Sequence, residues 1–397
     1  MGRARNRMRV FSASALVVVC AVVARAQTAA PAPLPTSEQA REAISRGVAF
    51  LLADQNPDGS WGGPRNAVWT FTGSVWSNPE THRSWKVATT GLCCLALLEA
   101  GDGEPALSTA NRGIDYLLDH AAVRRPSEWD TMNNWAYIYG VQALAAAYAH
   151  PRYPASPRRE RCRQVAVELM KWLAANQSLN GGWGYLEFDA PRTQPPQWAT
   201  SFMTAAAVVA LSDARAAGLA VEATMLRRAV RAVRRCRLPS GAYTYGVDVI
   251  PSPGRIHRIN SVKGSLSRIQ SCNLALRLAH AGERGDAEWI PTDDHVRAGL
   301  DDFFRYHRFL DMARNRPIPH ETYYQNSGYF YLFGHYYAAR LIAALPPQDR
   351  ARYAPLLRHE LLKLQAADGS LWDYDMHAYH KPYGTAFGVL ALALVKG

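Results

Sequence analysis

The chain has few cysteines and, after its first 26 residues, no long hydrophobic run, and each scarcity excludes a class of protein. Six cysteines in 397 residues are too few for a disulfide scaffold, and a chain of this length builds a core without disulfides. Adjacent Cys93 and Cys94 lie between leucines, which predicts small buried hydrophobes. Beyond residue 26 no segment is apolar for long enough to span a bilayer.

The first 26 residues have the organisation of a secretory signal peptide. Four arginines in residues 3–9 precede the apolar stretch 10–23, and Ala24-Arg25-Ala26 is an A-x-A cleavage signal. This pattern predicts an exported protein, periplasmic or secreted, whose mature chain begins at Gln27. Residues 27–36 are rich in alanine and proline and predict a leader. Uncleaved anchoring is the alternative, but the apolar stretch is short for a membrane span.

The charge balance is basic but modest once the signal peptide is removed. The whole chain has 45 Lys and Arg against 33 Asp and Glu, a formal charge of +12. Residues 1–26 hold five arginines and no acid, so the mature chain keeps 40 basic residues and a charge of +7. This excess suits an anionic surface or substrate. Export argues against nucleic acid as a partner.

A short signature returns along the chain. Gln-x-x-x-Gly-x-Trp occurs at 55–61 and 177–183, with looser copies at 237–243 and at 365–372, where Trp372 stands one place late. The copies are separated by about 60 residues or about twice that, which indicates a repeat architecture. The period predicts six units, of which two, near residues 119 and 305, have lost the signature.

Each unit contains two helices of different character. In the first unit, Thr36 and Gln39 form a capping box, and Ile44, Val48 and Leu51 recur at helical spacing. The segment from Lys86 onward is apolar nearly all round and rich in small residues, which predicts a buried helix. The alternation predicts an all-α fold, an (α/α)6 barrel or toroid, in one domain spanning residues 37–397.

An open solenoid is the alternative architecture. Such a fold needs polar end caps, yet the last helix runs apolar from Thr385 almost to the end of the chain. Packing this helix against the first unit would cover it, so the sequence favours a closed ring.

The repeated turns resemble those of squalene–hopene cyclases and of protein prenyltransferase β subunits. The resemblance covers residues 37–397 and implies a terpenoid cyclase-like toroid with a central cavity at one rim. In that family the glutamine amide and the tryptophan ring join one hairpin to the next. The resemblance therefore implies structural roles for Gln55, Gly59, Trp61, Gln177, Gly181 and Trp183.

The catalytic signatures of those enzymes are missing. The chain has no Asp-x-Asp-Asp run and no Asp-x-Cys, and Tyr383-Gly384-Thr385 stands where the prenyltransferases have a zinc-binding histidine. The Cys-Gly-Glu-Gln thioester of complement-type toroids is also absent. We therefore expect no metal and no cofactor, and the shared scaffold does not transfer a reaction.

Residues 326–337 form the densest group of candidate functional side chains. On a helix, Tyr329 and Tyr336 fall on one stripe with Phe333, whereas Tyr331 and His335 share another at i, i+4. If the second stripe faces the cavity, His335 is a candidate base and Tyr331 its acid partner. A packed aromatic core with one hydrogen-bonded histidine is the alternative.

A second group follows the last turn signature. Asp373 and Asp375 are candidate catalytic acids at the rim of the barrel. Asp375, His377 and His380 have the chemistry of metal ligands, but their spacing matches no established zinc pattern. A solvated loop is the simpler interpretation.

Aromatic and basic residues near the starts of the inner helices are candidates for ligand binding. The run from Arg255 to Arg268 is a basic loop that enters a helix, where anions are attracted. Core packing or a solvated loop explains each of these residues equally well when taken alone. The candidate set is Trp85, Tyr137, Trp198, Arg268, Tyr329 and Tyr336.

Three functional hypotheses follow. The first is an exported toroid that binds an apolar or amphiphilic, isoprenoid-like ligand without the family's catalysis. The second is a toroid enzyme: an unorthodox terpene cyclase using Asp373 or Asp375, or a polysaccharide lyase or hydrolase with Asn326, Tyr331 and His335 in its site. The third is a structural or interaction module whose barrel is filled.

Overall fold

The computed structural model describes residues 33–65, 78–125, 131–152, 156–185, 196, 198–248, 257–279, 289–314 and 316–397. The predicted signal peptide and residues 27–32 of the predicted leader lie outside this set. Residues 34–397 form one compact unit. Among the described residues no helix combines the length and the apolar character that a membrane crossing requires.

The described chain is all-helical. Short 3-10 turns at 258–260 and 262–264 and three isolated β-bridges are its other regular elements. The helices in chain order are α1 (Ser37–Ala53), α2 (Pro79–Ala100), α3 (Gly103–His120), α4 (Asn134–Ala149), α5 (Pro157–Asn176), α6 (Ser201–Ala216), α7 (Ala223–Arg235), α8 (Leu266–Ala279), α9 (Asp293–Arg305), α10 (Arg308–Ala313), α11 (Phe330–Ala344), α12 (Pro347–Leu362) and α13 (His380–Val395).

Amphipathic and apolar helices alternate as the sequence predicts. In α7, Leu226, Val230 and Val233 are buried, while Arg227 and Arg231 on the opposite face are exposed. In α6 nearly every residue is buried. A helix with one apolar stripe packs with its polar side outward, whereas a helix that is apolar all round must lie inside. The outer helices are therefore α1, α3, α5, α7, α9 and α12.

The six inner helices form a closed ring. Each of α2, α4, α6, α8, α11 and α13 contacts the next, and α13 returns to contact α2 and α1. The (α/α)6 toroid is thus confirmed, and the open solenoid is wrong. The five described cysteines are free and buried, including Cys93 and Cys94 as predicted.

The turn signature joins neighbouring units by hydrogen bonds from a glutamine amide. Gln55 Nε2 donates to the carbonyl of Gly59 in its own turn and to that of Thr109 on α3, each at 2.9 Å. Gln177 repeats the arrangement with Gly181 and with Met225 on α7, again at 2.9 Å. Each glutamine therefore connects one turn to the outer helix of the next unit.

The tryptophan holds the turn to its own unit. The indole nitrogens of Trp61 and Trp183 donate at 2.8 Å to carbonyls in the preceding outer helices. The backbone nitrogen of Trp61 also donates to Thr90 Oγ1 on the following inner helix at 3.1 Å, and that of Trp183 to Thr204 Oγ1 at 3.0 Å. Both rings are fully buried.

The last turn closes the ring. Gln365 Nε2 donates to the carbonyl of Gly369 at 3.0 Å and to that of Ala43 on α1 at 2.8 Å. The tryptophan position of this turn is taken by Leu371, whose backbone nitrogen donates to Thr385 Oγ1 at 2.9 Å. The prediction that Trp372 takes this position is therefore wrong. The backbone hydrogen bond that Trp61 and Trp183 make to a threonine of the following inner helix is made here by Leu371, one residue earlier.

The turn glycine is required for the contact between units. Gly369 has φ of +86°, and a Cβ built on it would lie 2.4 Å from the carbonyl oxygen of Arg46 on α1. Gly59 and Gly181 have the same backbone conformation and the same close approach to the next outer helix. Only glycine adopts this φ without strain.

Replacing the closing glycine should weaken the ring. We expect Gly369→Ala to lower the free energy of unfolding by about 2–3 kcal/mol, because it combines backbone strain with a clash. Urea denaturation followed by circular dichroism measures the change. The matched control is Gly63→Ala, where a Cβ would meet nothing within 4 Å and the change should stay within about 1 kcal/mol. Equal effects at the two positions would contradict the role of this contact.

Candidate ligand-binding site

A cavity of about 200 Å³ lies at the amino-terminal ends of the inner helices. Ten of its seventeen lining residues are Phe, Tyr or Trp, and no Asp, Glu, Lys or Arg of the described chain lines it. A wall of this composition favours a ligand with a large apolar surface over a sugar-like one. The lining rings are Trp85, Trp135, Tyr139, Tyr185, Phe202, Tyr329, Phe330, Phe333, Tyr383 and Phe387.

Helical spacing directs these side chains into one space. Trp85, Thr89 and Leu92 follow one face of α2, and Phe330 and Phe333 follow one face of α11. The rings pack edge to face: the centroids of Phe202 and Phe330 are 5.0 Å apart with an interplanar angle of 88°. Such packing holds the wall in one arrangement.

The polar part of the wall is a histidine–tyrosine pair. His320 Nδ1 lies 2.7 Å from the carbonyl oxygen of Gln325, and His320 Nε2 lies 2.9 Å from the hydroxyl of Tyr329. A carbonyl only accepts, so Nδ1 carries the proton and Nε2 accepts from the tyrosine. Burial lowers the pKa of His320, which keeps the ring neutral near pH 7.

His320 is held in a rare backbone conformation. Its φ is +64°, one of three positive values at non-glycine residues in the described chain, together with Gln325 and His377. All three lie in the segments 316–329 and 373–379, which supply His320, Tyr329 and Met376 to the cavity wall. Strain of this kind costs about 1–3 kcal/mol and is found preferentially at functional sites.

Sequence reasoning missed His320. Two signals were available: the Pro317-Ile-Pro319-His320 run, which marks a rigid loop, and its position just before the aromatic helix α11. Their meaning depends on the closed ring, which brings this loop over the cavity.

Among the predicted ligand-binding residues, Trp85 and Tyr329 line the cavity. Trp198 packs against the lining residue Tyr185, with ring centroids 4.8 Å apart. Tyr137 does not reach the cavity: it is fully buried, and its hydroxyl donates to the Val123 carbonyl. This hydrogen bond holds the Tyr137 side chain in the core, away from the cavity.

Tyr336 belongs to a polar layer at the carboxyl-terminal ends of the inner helices. Arg340 donates to both carboxylate oxygens of Asp213, at 2.7 and 2.8 Å. The Tyr336 hydroxyl lies 3.3 Å from Gln142 Nε2 in the same layer, and its ring contacts Phe387 of the cavity wall at 5.5 Å. This layer occupies the centre of the barrel beyond the cavity.

The last of the six predicted ligand-binding residues, Arg268, lies behind the wall. It is 1% exposed, and its guanidinium carbon is 5.5 Å from the ring centroid of Tyr245 and 5.9 Å from that of Phe330. Burial lowers the pKa of Arg268 to about 10, so it remains charged near pH 7.

Asp373 is buried behind another lining residue. Its carboxylate accepts from the hydroxyl of Tyr383 and from the backbone nitrogen of Leu332, each at 2.8 Å. Burial raises the pKa of Asp373 to about 6, against these two hydrogen bonds, which lower it. The Tyr383 ring lines the cavity, so this carboxyl group reaches the cavity through one hydroxyl.

Tyr331 and His335 occupy the face of α11 that points away from the cavity. His335 Nδ1 lies 2.7 Å from the Tyr331 carbonyl oxygen, and His335 Nε2 lies 3.0 Å from Nε2 of His307. Burial, followed by the neighbouring His307, lowers the pKa of His335 well below its usual value. This placement does not give the predicted base and acid access to a cavity ligand, because the other stripe of the helix, with Tyr329 and Phe333, faces inward.

The remaining rim residues form a polar cluster on the segment that carries the lining residue Met376. Asp375 is exposed and lies 3.2 Å from Arg65 Nη1 and 3.5 Å from His380 Nδ1. Burial lowers the pKa of His377 and of His380. This cluster is therefore an ion-paired surface group, and Asp375 does not line the cavity.

The described residues contain one group with metal-ligand chemistry. His307 Nδ1 lies 3.0 Å from Asp311 Oδ2 and 3.1 Å from Glu360 Oε2. The Lys363 ammonium, however, contacts both carboxylates, at 3.0 Å for Asp311. Because Lys363 forms an ion pair with each of these carboxylates, the group is an ion-pair cluster between α10, α11 and α12, outside the inner ring.

No family model matches the sequence. The solved structures that it resembles include the cellobiose 2-epimerase of Spirochaeta thermophila, with a TM-score of 0.59, 13% identity and coverage of 91% of this chain and 97% of that one. An α-1,6-mannanase of a Salegentibacter species has a TM-score of 0.54, 12% identity and coverage of 90% and 98%. The type II terpene cyclase MstE of Scytonema has a TM-score of 0.52, 16% identity and coverage of 91% and 99%. At these identities the likeness shows the α/α toroid fold and no specific family.

Proposed function

We propose that this protein binds an apolar, isoprenoid-like ligand in the aromatic cavity. The observation that carries the proposal is the composition of the wall, with ten aromatic rings and no charged side chain among the described residues. Burying a prenyl chain against such rings is favourable by about 25 cal/mol per Å² of apolar surface. One of the similar structures, MstE, is a terpene cyclase, which supports the capacity of this scaffold for such ligands.

A sugar ligand fits the wall less well. Hydrolysis of a glycoside requires two carboxyl groups that flank the scissile bond. In the described chain no carboxylate lines the cavity, and Asp373 reaches it only through Tyr383. Asn326 donates to the Lys263 carbonyl at 2.8 Å and His335 faces away, so the arrangement of a lyase is not assembled there.

Filling the cavity should abolish binding without harming the fold. Ala88 lines the cavity on α2, and we expect Ala88→Phe to weaken the binding of farnesol at least tenfold, because its ring occupies the space of the ligand. Isothermal titration calorimetry measures the affinity, and thermal denaturation checks the fold. The matched control is Ala49→Phe on the exposed face of α1, which should bind like the wild type. Undiminished binding by Ala88→Phe would place the ligand elsewhere.

A second candidate function is cyclisation or isomerisation of the bound isoprenoid, started by a proton. The Asp373–Tyr383 pair favours it. A protonated Asp373 passes its proton to the Tyr383 oxygen while the Tyr383 hydroxyl protonates an alkene carbon. The surrounding rings stabilise the resulting carbocation by cation–π attraction. The Tyr383 oxygen then takes a proton from a neighbouring carbon while its own proton returns to the Asp373 carboxylate, which gives the product and restores the pair.

This chemistry predicts a pH dependence with a defined sign. The pKa of Asp373 is raised to about 6, so the donor is protonated below pH 6 and is lost as the pH rises through that value. We expect product formation from geranylgeraniol to fall about tenfold per pH unit above pH 6 and to disappear in Asp373→Asn. Gas chromatography with mass spectrometry measures the product. Turnover that persists in Asp373→Asn, or that rises with pH, would remove this candidate while leaving ligand binding unaffected.

A further inference from the structure

Arg268 is a buried cation for which the described part of the chain supplies no counter-ion. One Nη2–H donates to the carbonyl of Ile259, and Nε has no hydrogen-bond partner. The neighbours that act on its charge are tyrosine and cysteine side chains, namely Tyr245, Cys272, Tyr329 and Cys236. Within the described chain, no carboxylate forms an ion pair with this guanidinium.

An uncompensated charge of this kind is unfavourable for folding. Buried ions normally require both a partner of opposite charge and hydrogen bonds for their remaining donors. Arg340 illustrates the rule in the same barrel, since Asp213 accepts two of its hydrogen bonds. Arg268 departs from it, and this departure indicates that an external anion completes the site.

Arg268 and His320, the histidine of the polar pair, lie against the same two aromatic rings. The His320 ring is 5.4 Å from Tyr245 and 6.1 Å from Phe330, and the Arg268 guanidinium is 5.5 and 5.9 Å from those rings. His320 and Phe330 line the cavity. The charge therefore lies one ring behind the wall, in surroundings where a low dielectric constant strengthens its field.

Hydroxyl groups are concentrated on this side of the cavity. The Tyr329 hydroxyl contacts His320 Nε2 at 2.9 Å, and the hydroxyls of Tyr185 and Tyr245 are 3.4 Å apart. Elsewhere the wall presents the apolar side chains of Leu92, Phe333 and Phe387. The cavity thus has one polar end, with a positive charge behind it, and one hydrocarbon-like end.

We propose that this polar end binds the carboxylate head group of an amphiphilic ligand whose prenyl or similar apolar tail fills the rest of the cavity. The inference rests on the proposed function and specifies its ligand class. Arg268 supplies the counter-charge, and Tyr329 reorients its hydroxyl from His320 to the carboxylate. Charge-assisted hydrogen bonds of this kind are about twice as strong as neutral ones.

Three probes with the same tail and different heads test the proposal: farnesoic acid, farnesol and farnesylamine. We expect the wild-type protein at pH 7 to bind the acid about tenfold more tightly than the alcohol, and the amine most weakly, by titration calorimetry. Arg268→Met should reduce the affinity for the acid to that for the alcohol and leave the alcohol unchanged. Arg277→Met, on the same helix but paired with Asp293 at 2.8 Å, should change neither.

The outcomes separate the two proposals. If none of the probes binds, the proposed function itself fails. If the alcohol binds as tightly as the acid, and Arg268→Met changes neither, the head-group inference is overturned while the apolar site stands. We expect the melting temperature of Arg268→Met to be no lower than that of the wild type, because the substitution removes an unpaired buried charge.

A second variant keeps the test decisive if Arg268→Met does not fold. Tyr329→Phe removes only the hydroxyl and preserves the ring, and it should weaken the binding of the acid several-fold more than that of the alcohol, which lowers the preference for the acid. A preference that survives in Tyr329→Phe at its wild-type value would contradict the placement of the head group at this end of the cavity.

Discussion

The amide of Gln365 donates to the carbonyl of Ala43, 322 positions away in the sequence, and the rest of the structure depends on this closing contact. It joins the sixth turn to the first outer helix, beside Gly369, whose missing side chain permits the approach to Arg46. The ring brings the amino-terminal ends of the inner helices around one space. Side chains from α2, α4, α6, α11 and α13 then become neighbours, although they are distant in sequence.

The interior of the ring is divided along its axis, and this division determines what the protein can bind. At the carboxyl-terminal ends of the inner helices, Arg340 forms an ion pair with Asp213. Gln142 and Tyr336 lie beside this pair and fill the remaining space. At the amino-terminal ends the wall is aromatic and open enough for a ligand. A fully filled barrel, as expected of a purely structural module, would lack this second region.

The architecture was predictable from the sequence because its signals are local and repeated. A glutamine, a glycine and a tryptophan at fixed spacing, and an alternation of amphipathic and apolar helices, indicate both the number of units and the closure.

The site was predictable only in part. Trp85 and Tyr329 were found from their positions near helix starts, whereas His320 was missed. His335 was a candidate base only if its stripe faced the cavity, and the structure instead gives the alternative, a buried and hydrogen-bonded histidine. Which stripe of a nearly all-apolar helix faces inward depends on its neighbours in three dimensions, and its own periodicity does not contain that information. The last turn shows the same limit. Its aromatic residue, Trp372, was matched to the signature, but the hydrogen bond that defines the position is made by Leu371.

The central claim is a closed ring that encloses an aromatic cavity with one polar end. A crystal structure of the protein with farnesoic acid tests it most directly. The account predicts α1 packed against α13 and electron density for the prenyl tail among Trp85, Phe333 and Phe387, with the carboxylate beside Tyr329. An empty cavity at saturating ligand, or a gap between the first and last units, would contradict it.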